Sequence, residues 1–381
     1  MAHFFDNRSA RVVRVALMIA ASAGVTLAQT PDPEKLFQEA FKAQQRGNYS
    51  EAAELYERVV KAIPGVPAGW INLGVVQTQM GRYDEAVRSY QKALELEPAN
   101  RQVMLNMALA LYKKGDFGNA SQPLMELART SPDDLRIAAL LGDCYMHLGD
   151  ASRAIAVLGP FAGRAQGNTD FTWVYGSALI SSGRLKEGAE LVETVARATK
   201  APDAYMLAGD ALLRLNLSER ALEDLKKAVQ FGPNLPGVLF LLGSAFEKNA
   251  DYRNAADAFR KAIEQNPSDF NARLRLAGVL YFERDLPAAR AALEEALRLD
   301  PSSVDARYTM ALVNKTDGRL EAAVADLEKV TKARPNFMPA HADLAALYFR
   351  LHRPEDGARE RGIVDRLAAE ERKAGPSSAP Q

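Results

Sequence analysis

The sequence has a single cysteine, Cys144, in 381 residues. One thiol cannot build a disulfide framework, a cysteine-rich zinc site or an iron–sulfur cluster within the chain. Histidine is almost as scarce, with four, and His147, His341 and His352 do not stand at the spacing of a ligand set. Net charge is also missing: 48 Lys and Arg balance 48 Asp and Glu. A nucleic-acid binder normally carries a large basic excess, so no nucleic-acid partner is expected. There is no G-x-x-x-x-G-K-[ST] phosphate loop, no G-x-S-x-G nucleophile turn and no H-E-x-x-H zinc motif. No strand pattern is visible that would place a dinucleotide-binding glycine turn. No metal, cofactor or catalytic residue is therefore assigned. What the chain does have is 48% hydrophobic and 25% charged residues, the balance of a foldable chain.

The N-terminus departs from this composition. Arg8, Arg11 and Arg14 precede an uncharged, mostly apolar stretch from Val15 to Val25. Ala28 then follows Thr26 and Leu27, with small residues at the −3 and −1 positions of a cleavage site before Gln29. This is the layout of a secretory signal peptide over 1–28, followed by a short linker at 29–32. The apolar stretch falls short of the ~20 residues that span a bilayer. The mature chain is accordingly expected to be exported, to a periplasm or beyond, with no membrane-spanning segment.

From residue 33 onward one period accounts for the sequence. Gly47, Gly81, Gly115, Gly149 and Gly183 are spaced by 34 residues, and Gly318 returns in phase once one lost residue is allowed. A second series runs through Ala40, Gly74, Ala108, Gly142, Gly176, Gly209, Gly243, Ala277, Ala311 and Ala345. A third runs through Ala52, Ala86, Ala120, Ala154, Gly188, Ala221, Ala255, Ala289, Ala323 and Gly357. Pro64, Pro98 and Pro132, then Pro233, Pro267, Pro301 and Pro335, keep the same step. Within a unit, Trp70, Leu73, Gly74 and Gln77 recur at steps of three and four, Gly81 interrupts, and Ala86, Tyr90, Ala93 and Leu94 resume before Pro98. That is a pair of amphipathic helices joined by a tight turn. Small residues allow the two helices to cross closely, while Tyr56, Tyr90, Phe259 and Leu293 fill the space opposite. Asn100, Asp133, Asn234, Ser268, Ser302 and Asn336, which follow the prolines, are candidate caps of the next helix.

Residues 70–98, WINLGVVQ…GRYDEAVRSYQKALELEP, closely resemble the tetratricopeptide repeat consensus. Ten units are counted, starting near 33, 67, 101, 135, 169, 202, 236, 270, 304 and 338. The resemblance implies an all-α fold, a right-handed α-solenoid superhelix covering 33–371, in which each unit is stable only against its neighbours. A polar terminal helix at 355–371 reads as a cap, and 372–381 as a disordered tail. The pattern fails in two places. Units four and five lack the closing proline, with Gln166 and Lys200 in its place, and Gly159-Pro160 and Gly163 fall within a helical stretch. An irregular joint is expected at 156–168 and a lesser one near 200. Pro123 poses the same problem in unit three.

The repeats occupy the whole chain after the leader and leave no segment for a catalytic domain. In the family that the sequence resembles, the first helix of each unit lines a concave face that binds protein or peptide partners. By repeat phase that face carries Phe37, Phe41, Ile71, Val75, Leu105, Leu109, Tyr112, Trp173, Ile180, Met206, Leu213, Phe240, Tyr281 and Phe349. Its polar positions are Asn72, Asn106, Asp143, Asp210, Arg275 and Arg350. Asn72 and Asn106 match a family position that can hydrogen-bond a ligand backbone. The lysine-rich carboxylate clamp of some relatives is not reproduced, because Phe37 occupies its first lysine position. The expected function is a non-enzymatic interaction scaffold in cell-envelope assembly or secretion. The alternatives are an accessory subunit of an envelope enzyme complex, such as a glycosyltransferase or peptidase, and a self-assembling structural protein.

Overall fold

The computed structural model describes residues 32–374 except Gln166. The expected leader, most of the linker and residues 375–381 of the expected tail lie outside the described residues. Among the described residues twenty α-helices follow one another and no strand occurs. The chain divides into two compact units, Met1–Leu191 and Val192–Gln381.

The first unit contains α1 (Pro33–Gln45), α2 (Tyr49–Ala62), α3 (Pro67–Gln79), α4 (Tyr83–Leu96), α5 (Arg101–Lys114) and α6 (Phe117–Thr130). It continues with α7 (Leu135–His147), α8 (Ala151–Leu158) and α9 (Thr169–Ser181), and ends inside α10 (Leu185–Thr199). The second unit completes α10 and adds α11 (Pro202–Arg214), α12 (Ser218–Phe231), α13 (Val238–Lys248), α14 (Tyr252–Gln265) and α15 (Phe270–Phe282). There follow α16 (Leu286–Leu299), α17 (Val304–Thr316), α18 (Leu320–Ala333), α19 (Met338–Arg350) and α20 (Pro354–Ala374).

Within each unit helices pack as hairpins, as α1 with α2, α3 with α4 and α11 with α12, and second helices also pack on the first helix of the next hairpin, as α2 on α3 and α12 on α13. First helices lie next to first helices within each unit, as α3 does to α5, α7 to α9 and α13 to α15. Sequence explains this division. The second helices are one-sided: α14 buries Ala255, Ala258, Phe259 and Ala262 and leaves its charges outside. First helices such as α3 and α9 are apolar on most sides; α3 is packed between its hairpin partner and the neighbouring hairpins.

The small-residue series marks the crossing points. A Cβ placed on Gly74 would lie 2.6 Å from the ring of Tyr90, and one on Gly209 would lie 2.6 Å from Leu225. Gly188 approaches the Gly176 carbonyl, where a Cβ would lie at 2.7 Å. The large partners are fully buried, and two of them keep a polar tie. The Tyr56 hydroxyl donates to Gln44 at 2.9 Å, and Tyr90 shares a hydrogen bond with Thr78 at 3.3 Å.

The turn inside each hairpin needs a residue with positive φ. Six turns meet that need with the glycines of the 34-residue series, at φ between 73° and 88°. In the other four turns the glycine is lost but the conformation is not. Asn216, Ala250, Arg284 and His352 stand at the same phase with φ of 58°, 56°, 67° and 56°. A left-handed conformation costs a side chain with a Cβ about 1–2 kcal/mol, and asparagine tolerates it best. Ala250→Gly and Arg284→Gly are therefore each expected to raise stability by about 0.5–1 kcal/mol, while Asn216→Gly gains little. Urea unfolding of the three single variants checks that ranking.

Helix caps sit one residue later than expected before α7, α15 and α17, where the capping side chains are Asp134, Asp269 and Ser303. Before α13 the cap position is Gly237, three residues after Asn234 and without a side-chain bond; Asn100 is where the sequence places it. The reason is a turn that the proline opens. Asp269 N–H bonds to the Asn266 carbonyl at 3.0 Å and Ser303 N–H to Asp300 at 3.2 Å. Proline and the residue after it are thus the two central turn positions, and the next residue caps. Before α19 neither Asn336 nor any other side chain caps, and Phe337 holds that position.

At the expected joint, α8 stops at Leu158 and a single 3-10 turn, Gly159–Phe161, follows. Near 200, Lys200 takes a positive φ of 56° between α10 and α11. Pro123 does not break α6, which runs unbroken from Phe117 to Thr130. The terminal helix α20 extends to Ala374, past the boundary expected at 371.

Candidate interaction surface

The first helices present one face to the hairpin core and another away from it. The residues that the repeat phase assigns to this outer-facing row fall into three groups.

Some are core residues. Phe37 is buried and meets Tyr56 edge-on at 5.5 Å. Asn72 is buried, and its amide donates to the Ala68 carbonyl at 2.9 Å, so helix α3 itself uses the group expected to hold a ligand. Ile180 and Leu213 are buried as well. These four point into the stack because the row is only partly separated from the packing between adjacent first helices.

A second group is half-exposed and apolar: Phe41, Ile71, Val75, Leu105, Leu109, Trp173, Met206 and Phe240. Ile71 and Val75 pack on the cluster around Tyr90, and Leu105 and Trp173 on the cluster around Leu141. Phe240 tilts against Phe259 at 5.8 Å. Ile71, Val75, Leu105, Trp173 and Phe240 thus have stems fixed by the core and edges left open.

The third group holds the remaining residues, of which Tyr112, Asp143, Arg275 and Tyr281 form polar ties between neighbouring first helices. The Tyr112 hydroxyl on α5 donates to Asp143 on α7; burial, reinforced by that carboxylate, pushes the phenol well above its ordinary range. On α15, Arg275 reaches Glu247 of α13 at 3.3 Å, and burial raises the Glu247 carboxyl. Tyr281 accepts from Thr316 of α17 at 3.3 Å. Asp210 has only a loose contact, 4.0 Å to Arg214 on its own helix. Asn106 accepts from Gln102 at 2.9 Å. Arg350 is exposed at the end of α19. Phe349, also exposed at 44%, lies over Gly357.

Two further features escaped the sequence reading. Asp343 accepts from Tyr308 at 3.0 Å and from Lys315 at 2.6 Å, which ties α19 to α17; burial, and then Asp343, pushes the Tyr308 phenol up to about 12. Aromatic stacks join the start of a second helix to the end of the next first helix. Phe117 stacks on His147 at 4.0 Å, and Tyr252 on Phe282 at 5.1 Å with Phe282 58% exposed. The signal was present, since both pairs are 30 residues apart at one repeat phase, yet neither helical periodicity nor the glycine series selects it.

Cys144 is buried, and burial pushes its thiol up to about 12, so it holds its proton at neutral pH. Among the described residues no cluster of three or more His, Cys, Asp or Glu could hold a metal ion, and no helix is long and apolar enough to cross a membrane. The arrangement offers apolar contact area on a row braced by hydrogen bonds, which lowers the cost of ordering that area when a partner binds.

Comparison with known proteins bears on the same residues. Residues 64–161 match the family model described as the cytochrome c-type biogenesis protein H TPR domain. Residues 175–236 and 240–304 match one tetratricopeptide repeat model, and 304–337 another. Comparison with curated proteins gives no match. Among solved structures, the C-terminal part of a TPR repeat-containing protein from Cytophaga hutchinsonii is similar at 18% identity with a TM-score of 0.51, over 63% of this chain and 99% of its own. MamA (residues 41 to the end) from Desulfovibrio magneticus RS-1 is 25% identical with a TM-score of 0.43, over 45% of this chain and 96% of its own. YrrB, described as a TPR protein with an unusual peptide-binding site, is 20% identical with a TM-score of 0.42, over 49% and 96%.

Proposed function

Because this chain is a tetratricopeptide repeat protein, we propose that it acts as a non-enzymatic scaffold of ten tandem repeats that holds a partner protein or peptide segment on its first-helix faces. The observation that carries this reading is the row of half-exposed apolar side chains, among them Ile71, Val75 and Leu105, packed at their stems on the core and open at their edges. Binding follows from shape and apolar burial, with no covalent step. The arginines and apolar stretch of residues 8–25 support export and a role in cell-envelope assembly or secretion. N-terminal sequencing of the chain recovered from its native cell tests export, with Gln29 as the expected first residue.

Affinity capture tests the scaffold. The bait is the chain from Gln29 onward, and the control carries Phe41→Asp, Leu109→Asp and Phe240→Asp after its helicity is shown to be unchanged. The native bait is expected to retain a defined partner that the control loses at least about tenfold, since each buried charge without a counter-ion opposes binding. Equal capture by both would move binding to the second helices or the chain ends.

A further inference from the structure

The first and last hairpins carry charge at positions where inner hairpins carry core. Among the described residues no hairpin precedes α1 and none follows α20. Lys35 and Glu39 on α1 are exposed, yet they stand at the repeat phase of Gly69 and Leu73 on α3, both buried. Arg361 and Asp365 on α20 are exposed too, at the phase of Tyr56 and Val60 on α2, again both buried. Helix α20 forms its ion pairs through Asp356 and Glu360, and Arg361 and Asp365 stay outside them. Any charges would keep two end faces in water. These four occupy the two halves of one inner contact. Val60 lies against Gly69, where a Cβ would come 3.0 Å from its Cγ1, and Tyr56 and Leu73 belong to one core cluster.

Carried over to two molecules, that contact sets Asp365 opposite Lys35 and Arg361 opposite Glu39, and both pairs are of opposite sign. The aromatic residues agree with it. Tyr112 on α5 meets Asp143 on α7. At those two phases α19 holds Phe349, 44% exposed, and α1 holds the half-exposed Phe41. We propose that α19 and α20 of one copy dock on α1 of a second copy, in the register by which one hairpin follows another within the chain. Such a contact joins two different surfaces. It leaves an unused α1 on one molecule and an unused α20 on the other, so association does not stop at a dimer. Its ion pairs are few and solvent-exposed, which makes it weak and sensitive to salt. The two phenylalanine rings add apolar area that salt does not screen.

Sedimentation equilibrium of the chain from Gln29 onward, at rising concentration, tests the contact. In about 0.02 M salt the average mass is expected to climb past that of a dimer, and in about 0.5 M salt to fall back. Lys35→Glu with Glu39→Lys reverses the charges of the first end, and Arg361→Glu with Asp365→Lys those of the last. All four positions are exposed, so helicity should not change. Either reversal alone should weaken association at least about tenfold, because like charges then face each other. An equimolar mixture of the two reversed chains should associate again, since each end finds a matching end on the other chain. One chain carrying all four substitutions should also recover. A chain that stays monomeric at low salt would overturn the proposal. Association that survives either single reversal would place the contact elsewhere, an α20–α20 pairing included. Failure of both the mixture and the fourfold variant to recover would overturn the register. The scaffold reading concerns other surfaces and stands under each of these outcomes.

Discussion

Gly243→Val is expected to destabilise the second unit by about 2–3 kcal/mol, the cost of overpacking a filled crossing point. A Cβ at this position would lie 2.6 Å from Cε1 and 2.7 Å from Cδ1 of Phe259. Phe259 is fully buried and cannot swing outward. The chain also contains the remedy. One repeat later the same two positions hold Ala277 and Leu293, both fully buried. Gly243→Ala alone should destabilise by about 1–2 kcal/mol, and Phe259→Leu alone by about 1 kcal/mol through the gap it leaves. Together they recreate the Ala–Leu pair. Replacing a helical glycine by alanine also gains about 0.8–1 kcal/mol of backbone preference, so the double variant should at least match the wild type. Urea unfolding of the four chains measures the coupling. Additive losses would show that the alternation of small and large residues is not what sets the helix crossing.

The second large effect is electrostatic and has the opposite sign. Asp224 on α12 is buried, and its Oδ2 has no hydrogen-bond partner. Glu193 on α10 is also buried and lies near enough for its charge to be felt. Burial, and then Glu193, push the Asp224 carboxyl up to about 6 despite Lys227 at 3.7 Å and the nearby Arg197 and Arg220. Arg220 is committed to Glu193 at 2.8 Å. A carboxyl raised in the folded state carries no penalty below its unfolded value of 3.8. The penalty grows as pH rises from there to about 6 and is complete above it. Asp224→Asn should therefore stabilise the unit by about 1–3 kcal/mol at pH 7.5, and the advantage should shrink towards nothing as pH falls to 4. If the Lys227 contact dominated instead, the substitution would destabilise at neutral pH and the two chains would converge in acid.

The sequence made the repeat legible because each hairpin must solve the same packing problem, and a crossing point accepts few residue types. Where several residue types solve a problem, the signal faded. The turn that needs a positive φ is glycine in six hairpins, so the series is visible, but Ala250, Arg284 and His352 adopt the same backbone without announcing it. The caps Asp134, Asp269 and Ser303 fall one residue beyond the position that the proline suggests, because the proline turn takes two positions. The surface was read less well than the fold for a related reason. Repeat phase assigns a residue to a helix and a rough direction, but not to one side of a contact between neighbouring first helices. Asn72 and Asn106 share a phase; one is buried against its own helix and the other is half-open, because they stand in different hairpins with different neighbours. Charge ties such as Tyr112–Asp143 cross between repeats, where no local period can reveal them.

The central claim is that the first-helix faces, and not the second helices, carry the partner. A photo-crosslinking amino acid placed at Leu109 on α5 and, separately, at the exposed Glu126 on α6 tests it in the native cell. Crosslinking to a discrete partner from position 109 and none from 126 is the predicted result. A partner captured from 126 but not from 109 would contradict the claim.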